Sequence, residues 1–227
     1  MTSLAPPRGY TLGLLLLTAS TGAVDAVSYL ALDRVFTGNM TGNVLFIGFA
    51  LVGVAGIPLL NNVIALLGFV AGSIVGGRIV GRGHPAGLPT ASVATLAAGA
   101  VVLLGLASIW SAGAGLPSWA MLAITALLAA VMGAQVSAVK PIGNSDITTI
   151  VITSTLANLS RESRLGGGRG QRWFHRLSAI VFMGIGATLG AWSVLWLSGP
   201  IALFVAAGIF TAASAVMLVT ARRHPVA

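Results

Sequence analysis

The sequence predicts an all-α polytopic membrane protein, formed as a single integral membrane domain over residues 1–227. Of its 227 residues, 56% are hydrophobic and only 7% are charged, and the mean hydropathy is +0.98. A soluble domain is usually about one quarter charged. The apolar runs are long and continuous, without the period-two alternation of barrel strands. The membrane spans are therefore predicted to be helices.

Eight apolar runs follow one another along the chain, at about residues 11–32, 43–60, 62–80, 91–110, 118–139, 147–159, 177–197 and 200–221. A helix needs roughly 20 residues to cross a bilayer. Most runs meet that length, the second is borderline, and the sixth is too short to cross comfortably. Ser145-Asp146 is expected to cap the sixth segment at its N-terminus.

Short motifs recur about half a chain length apart. The corresponding pairs are Gly22-Ala23 with Gly133-Ala134, Thr41-Gly42-Asn43 with Thr153-Ser154-Thr155, and Gly72/Gly76 with Gly186/Gly190. We therefore predict two repeats of about four helical segments each, over approximately residues 1–113 and 114–227. The glycine pairs predict close helix packing, with a weaker indication of a homo-oligomer.

The basic residues predict the orientation, because lysine and arginine are enriched in cytoplasmic loops. If the second and sixth segments enter and leave on one face and both termini are cytoplasmic, 11 of the 12 basic residues lie inside and only Arg34 lies outside. Eight crossings would leave 8 of 12 inside, and seven crossings with the N-terminus outside score as well as six. The preferred model has three full spans and one broken or re-entrant segment per half, which makes the halves inverted.

Asp25 is an acidic residue inside the first apolar run, and Thr18, Thr21 and Ser28 share its predicted helix face. Asp25 and Ser28 are candidate solute- or ion-binding residues on this face. An acid within a membrane span usually faces the protein interior and is often functional. Two interpretations remain open. The carboxylate is a proton or cation site on a permeation path, or it accepts hydrogen bonds that fix the segment that follows.

That following segment, residues 33–43, contains Thr-Gly-Asn twice, at 37–39 and 41–43. Its candidate solute- or ion-binding residues are Thr37, Asn39, Thr41, Gly42 and Asn43. Thr41 or Asn43 is expected to cap a half-helix over about residues 44–54, whose free N–H groups would face a solute near mid-membrane. The alternative is a polar turn just outside the lipid. We predict that Asp25 and this turn act as one unit.

The second half contributes further candidate residues for a solute or ion, namely Gln135, Thr149, Thr153 and Asn158, with Thr148 and Thr155 on a neighbouring face. Lys140 lies close in sequence to Asp146, and the favoured interpretation is a lysine that reaches the interface beside a capping aspartate. The connector over residues 161–176 is rich in arginine and is expected to contact anionic lipid headgroups.

The composition also argues against several other classes of function. The net charge of +8 is explained by cytoplasmic loops and does not require nucleic acid as a partner. The chain has no cysteine, and His84, His175 and His224 lie in polar connectors, so we predict no metal and no cofactor. No acid and base pair with a nucleophile, and we therefore predict that the protein is not an enzyme.

At residues 22–30, GAVDAVSYL, followed by 36–43, FTGNMTGN, the chain resembles the YoaK-like family. The resemblance extends to MGAQ at 132–135 and to the threonine-rich segment at 149–158, where Thr153-Ser154 replaces a second Thr-Gly. It implies a small bacterial inner-membrane protein and adds no substrate. From the residues, the predicted function is a transporter or channel-like permease for a small solute or ion. The alternative is a non-transporting membrane scaffold or partner subunit.

Overall fold

The computed structural model describes residues 7–83, 87–113, 115–144, 147, 149–150, 152–168 and 173–224. Within these residues all regular secondary structure is helical, and no strand is present. The α-helices are α1 (Arg8–Ala31), α2 (Met40–Leu51), α3 (Leu59–Val80), α4 (Thr90–Ala112), α5 (Ser118–Val139), α6 (Ile152–Arg161), α7 (Trp173–Trp196) and α8 (Gly199–Arg223). A short 3₁₀ turn, Lys140–Ile142, follows α5. Some predictions fall outside the described residues. They concern the cap Ser145-Asp146, its proximity to Lys140, and Thr148. The same holds for His84, Arg169 and Arg172.

Six helices in the described part of the chain are long and apolar enough to cross a membrane: α1, α3, α4, α5, α7 and α8. The two remaining helices are short, with 12 residues in α2 and 10 in α6. The prediction of an all-α polytopic membrane protein is thus confirmed. The two short helices are the segments that the sequence marked as too short or borderline.

Prolines set the start of several long helices. Pro7, Pro58, Pro89 and Pro117 each occupy the position just before a helix, where a missing N–H costs nothing. At α8 the hydroxyl of Ser198 accepts a hydrogen bond from the Ile201 N–H at 3.4 Å. The start of each of these helices is therefore specified locally by the sequence.

The glycine ridges pack helices of opposite halves side by side. A Cβ added at Gly72 would collide with the carbonyl of Ala130, and one added at Gly76 would lie 2.9 Å from Ala134 Cα, so α3 runs parallel to α5. Residues of α1 and α7 meet in the same way. Gly186 lies against Ala19, and Gly190 against Ala23. These glycines are used within the chain, which leaves the suggested dimerisation face without support from them.

Helix α1 runs antiparallel to α5 and to α8. Thr21 contacts Gln135, whereas Asp33, which follows α1, accepts a hydrogen bond from Thr125 at 2.7 Å, so the order of contacts along α5 is reversed. The starts of α1 and α7 and the ends of α3, α5 and α8 consequently share one end of the bundle. We call it the basic end. Its basic residues include Arg8, Arg78, Lys140, Arg176, Arg222 and Arg223, whereas Arg34 lies at the opposite end.

The connector after α6 is tied to α7 by an ion pair. Arg176 is buried, and its guanidinium donates to Glu162 Oε2 at 2.7 Å and to the Asn158 carbonyl at 3.1 Å. Arg161 lies 3.5 Å from the other oxygen of the same carboxylate. The hydrogen bond from Arg176 holds the pKa of Glu162 below its ordinary value. Arg176 therefore belongs to a structural contact and is not a free headgroup ligand.

Candidate functional site

The site is built where α1 ends and the chain folds back on it. Beyond Ala31 the backbone is not helical until Met40, and residues 37–39 return to the level of Asp25, almost two turns inside α1. Asp25 Oδ1 accepts hydrogen bonds from Thr37 N at 2.8 Å, Gly38 N at 2.7 Å and Thr37 Oγ1 at 3.2 Å. Asp25 Oδ2 accepts one from Asn39 N at 3.1 Å. The expected contact between Asp25 and the first Thr-Gly-Asn is present.

Gly38 is required by this close approach of backbone to helix. A Cβ at this position would lie 2.7 Å from Thr21 Cγ2 and 3.4 Å from Asp25 Oδ2. Any side chain here would push the turn away from α1 and lengthen the hydrogen bonds to the carboxylate. The first glycine of the motif thus has a steric role in the site.

Asn43 holds the other side of the turn. Its side chain is fully buried, with Nδ2 donating to the Phe36 carbonyl at 2.6 Å and Oδ1 accepting from Phe36 N at 2.9 Å. Ser28 donates to the carbonyl of Val35 at 2.6 Å. The carbonyls of Val35 and Phe36 and the N–H of Phe36 are thereby satisfied by side chains, as backbone at membrane depth requires.

The predicted cap and start of α2 are wrong. The helix begins at Met40, not near Val44, and Asn39 is its cap, accepting from Gly42 N at 3.4 Å. Asn43 is unavailable as a cap because both ends of its amide bind Phe36. Thr41 is exposed in the first turn and does not bond Asp25.

The polar stripe predicted on α1 is only partly directed at the site. Thr18 and Thr21 donate to carbonyls of their own helix, those of Leu14 and Leu17. Such bonds within a helix are common for threonine in apolar surroundings. Of the stripe, Asp25 alone lines the cavity described below.

An aromatic group covers the turn, and the sequence analysis missed it. The rings of Tyr29 and Phe36 stack at 5.1 Å, and Phe46 of α2 lies 6.1 Å from Phe36 and 6.5 Å from Tyr29. The signal was available, because Tyr29 lies one turn after Asp25 and the two phenylalanines flank the motif. These ring contacts join the turn to Tyr29 of α1 and to Phe46 of α2.

A cavity of about 630 Å³ lies beside Asp25. Its walls come from α1, the turn, the first turns of α2 and α6, and parts of α3 and α7. Asp25, Asn39, Thr41 and Thr153 contribute polar groups. Most of the remaining wall is aliphatic, aromatic or glycine, a composition typical of small-molecule sites.

The candidates in the second half are only partly brought together. Thr153 lines the cavity, whereas Gln135 is buried behind Thr21 and donates to its hydroxyl at 3.3 Å. Asn158 is half-buried, and its carbonyl binds Arg176. Thr155, which the sequence placed with Thr148 on a neighbouring helix face, is buried on α6.

Thr149 explains why α6 starts later than predicted. Its φ of 60° is left-handed, a strained conformation for a β-branched residue, so the helix begins at Ile152 instead of residue 147. The Thr149 hydroxyl and Gln135 Oε1 are buried without a hydrogen-bond partner among the described residues. The second half therefore does not repeat the fully bonded turn of the first.

The described residues contain no group of three His, Cys, Asp or Glu side chains that could hold a metal ion.

The family model described as "Protein of unknown function (DUF1275)" matches residues 13–217. The chain belongs to the DUF1275 family. The match spans both halves and includes the Asp25 turn. This confirms the family resemblance.

A relative of this DUF1275 chain is the UPF0700 transmembrane protein YoaK of Bacillus subtilis (strain 168). The two are 36% identical over 152 residues, which is 67% of this chain. The aligned region spans 65% of the length of that relative. No solved structure matches the chain.

Proposed function

We propose that this DUF1275 protein is a permease or channel for a small solute or ion, with the cavity beside Asp25 as its site. One observation carries the proposal. The first turns of α2 and α6, two helices too short to span a bilayer, line the same cavity as an acid within a span. Interrupted segments at membrane depth are tolerated where they line a cavity, and transporters use them to bind substrates.

We also infer that the two halves are inverted repeats of three spans and one short helix each. The support is the equivalence of contacts. A Cβ at Gly22 would meet Met183 and Ala187 of α7, and one at Gly133 would meet Phe69 and Ser73, the corresponding residues of α3. The antiparallel course of α1 and α5 agrees with inversion.

The orientation that we propose places the basic end, with both termini, in the cytoplasm of a bacterial cell whose inner membrane holds the protein. Exposed Trp119, Trp192 and Trp196 lie near the opposite end, as interfacial tryptophans do. At the basic end, exposed Arg161 and the neighbouring arginine-rich connector are proposed to contact anionic lipid headgroups.

Solute flux into liposomes that contain purified protein tests the proposal. A panel of cations, anions and neutral solutes is screened with and without a proton gradient. We expect saturable flux that Asp25→Asn abolishes or uncouples from pH, and that Thr41→Val weakens in affinity at unchanged yield. Asp33→Asn is the matched control, because Asp33 lies outside the cavity, bonded to Thr125. Absence of flux across the panel would overturn the proposal.

A non-transporting scaffold or partner subunit is the second candidate. The observation that favours it is the set of four hydrogen bonds accepted by Asp25, which gives this acid a structural role without any solute. A scaffold predicts that Asp25→Asn lowers yield and stability together and that the well-folded native protein moves no solute. Flux by the native protein rejects this candidate.

A further inference from the structure

The geometry points to a small organic cation, a protonated or quaternary amine with an apolar body, as the ligand of the cavity. This inference rests on the proposed function, because it names the class of solute for the same site. Three features of the walls carry it. They are the charge of the lining residues, the aromatic rings, and the scarcity of oxygen ligands.

The charge of the cavity favours a cation. Of the described residues that line it, Asp25 alone has a carboxyl group, and no lysine, arginine or histidine is among them. All groups within hydrogen-bond distance of its oxygens are donors, as a carboxylate requires. Among the described residues Oδ2 accepts only one hydrogen bond, so the carboxyl group of Asp25, which lines the cavity, retains acceptor capacity.

The helix ends do not cancel this charge at Asp25. A helix N-terminus carries about half of one elementary charge, spread over several N–H groups. In the turn before α2, the N–H groups of residues 37–39 bond Asp25. Within the first turn of α2, the Met40 N–H bonds the Gly38 carbonyl and the Gly42 N–H bonds Asn39, so these groups are already paired. The first turn of α6 forms a separate wall. A cation is therefore expected against α1, beside the carboxyl group of Asp25.

Aromatic rings supply the second element of a cation site. Tyr29 and Phe36, stacked at 5.1 Å, line the cavity near Asp25, and Phe69 lines it from α3. The faces of such rings attract ammonium groups, especially away from water. The aliphatic walls, including Met183 and Ile152, suit the apolar part of the same ligand.

Inorganic cations fit these walls less well. Calcium takes six to eight oxygen ligands, and magnesium demands a near-ideal octahedron. Around the cavity, the described side-chain oxygens come from one carboxylate, one phenol, two threonines and one asparagine, in walls that are otherwise apolar. The volume of about 630 Å³ lies within the range of sites for organic molecules.

The test is equilibrium binding of labelled benzyltrimethylammonium to the purified full-length protein. Two competitors vary only the polar group. Benzyl alcohol keeps the ring without the charge, and phenylmethanesulfonate reverses the charge. We expect saturable binding of the cation, with both competitors at least about tenfold weaker. Competition by the alcohol or the sulfonate that equals or exceeds the binding of the cation would overturn the inference. This test uses the native protein alone.

Two substitutions then locate the binding. Asp25→Asn should weaken it by at least about tenfold, and Phe69→Leu, which removes none of the hydrogen bonds to Asp25, by about two- to fivefold. Phe174→Leu is the control, because Phe174 is exposed at the start of α7. If Asp25→Asn does not fold, Phe69→Leu decides. Binding unchanged by Phe69→Leu would overturn the assignment to this cavity.

The two proposals fail in different ways. Cation binding without flux of any solute would reject the permease and keep the cation site. Flux of another solute, with benzyltrimethylammonium neither binding nor inhibiting, would keep the permease and reject the class of ligand. Binding together with flux of organic cations supports both.

Discussion

Replacing Asn43 by leucine tests whether side chains hold the broken segment against α1. The substitution keeps the approximate size and removes both hydrogen bonds to Phe36, at 2.6 and 2.9 Å. The Phe36 carbonyl and N–H then stay buried without partners. Side-chain hydrogen bonds within membranes contribute on average about 0.6 kcal/mol and at most about 1.7 kcal/mol each. The two bonds together predict a loss of about 1–3 kcal/mol in the free energy of unfolding.

The assay is equilibrium unfolding in mixed micelles, followed by tryptophan fluorescence, which the five tryptophans of the chain make possible. Thr41→Val is the matched control, since Thr41 lies in the first turn of α2, as Asn43 does, but is exposed. Surface substitutions of this kind usually change stability by less than about 0.5 kcal/mol. If Asn43→Leu unfolds no more easily than Thr41→Val, Asn43 does not hold the turn.

Three further predictions follow from other contacts. Gly186→Leu should lower the free energy of unfolding by about 1–3 kcal/mol, because its Cβ would collide with the Ala19 carbonyl. Gly184→Leu is the control, since Gly184 has open space around it and this variant should unfold like the native protein. Equal losses of stability in the two variants would contradict the packing of α7 against α1. A hydrogen bond from Arg176 holds the pKa of Glu162 below its ordinary value of 4.5. The stabilisation that this carboxylate gives is therefore present above pH 4.5 and is lost as the pH falls through the lowered pKa. The melting temperatures of the native protein and of Glu162→Gln should differ at neutral pH and converge in acid. Cysteine at Val52 should react with an impermeant reagent outside intact cells and cysteine at Arg82 should not, and strong external labelling at Arg82 would reject the proposed orientation.

Composition and run length predicted most of the fold. Run length marked the sixth segment as too short and the second as borderline, because the thickness of the bilayer sets one requirement for every span. These two segments contain α6 and α2, and the other six form the long helices. The glycine spacing of α3 also predicted a packing face, and its partner is α5. That partner could not be read from the sequence, since many helices in the chain carry small residues.

The centre of the site was predictable, but its hydrogen bonds were not. An acid in a span next to a Gly-rich polar segment pointed to a contact between Asp25 and residues 37–39. Thr and Asn are both good caps, and the sequence analysis named Thr41 or Asn43 as the cap and missed Asn39. The burial of Asn43 excludes it as the cap, because a buried amide must satisfy both of its ends and both bind Phe36.

Thr149 shows a second limit of sequence patterns. Its position predicted a helical residue facing the solute, whereas its backbone is left-handed and its side chain is buried. Helical propensity says little about a threonine whose conformation is imposed by neighbouring segments. The cavity beside it was equally hidden, because its walls come from five different helices.

The pairing of α1 with α7 and of α3 with α5 has a consequence for biosynthesis. While the ribosome is still making the second half, the small-residue faces of α1 and α3 have no partner, because their closest neighbours are encoded more than 50 residues later. We therefore expect the first half to pack loosely in the bilayer until α5 is inserted. Its packing should be completed when α7 and α8 follow, so that the last helices decide when the protein is assembled.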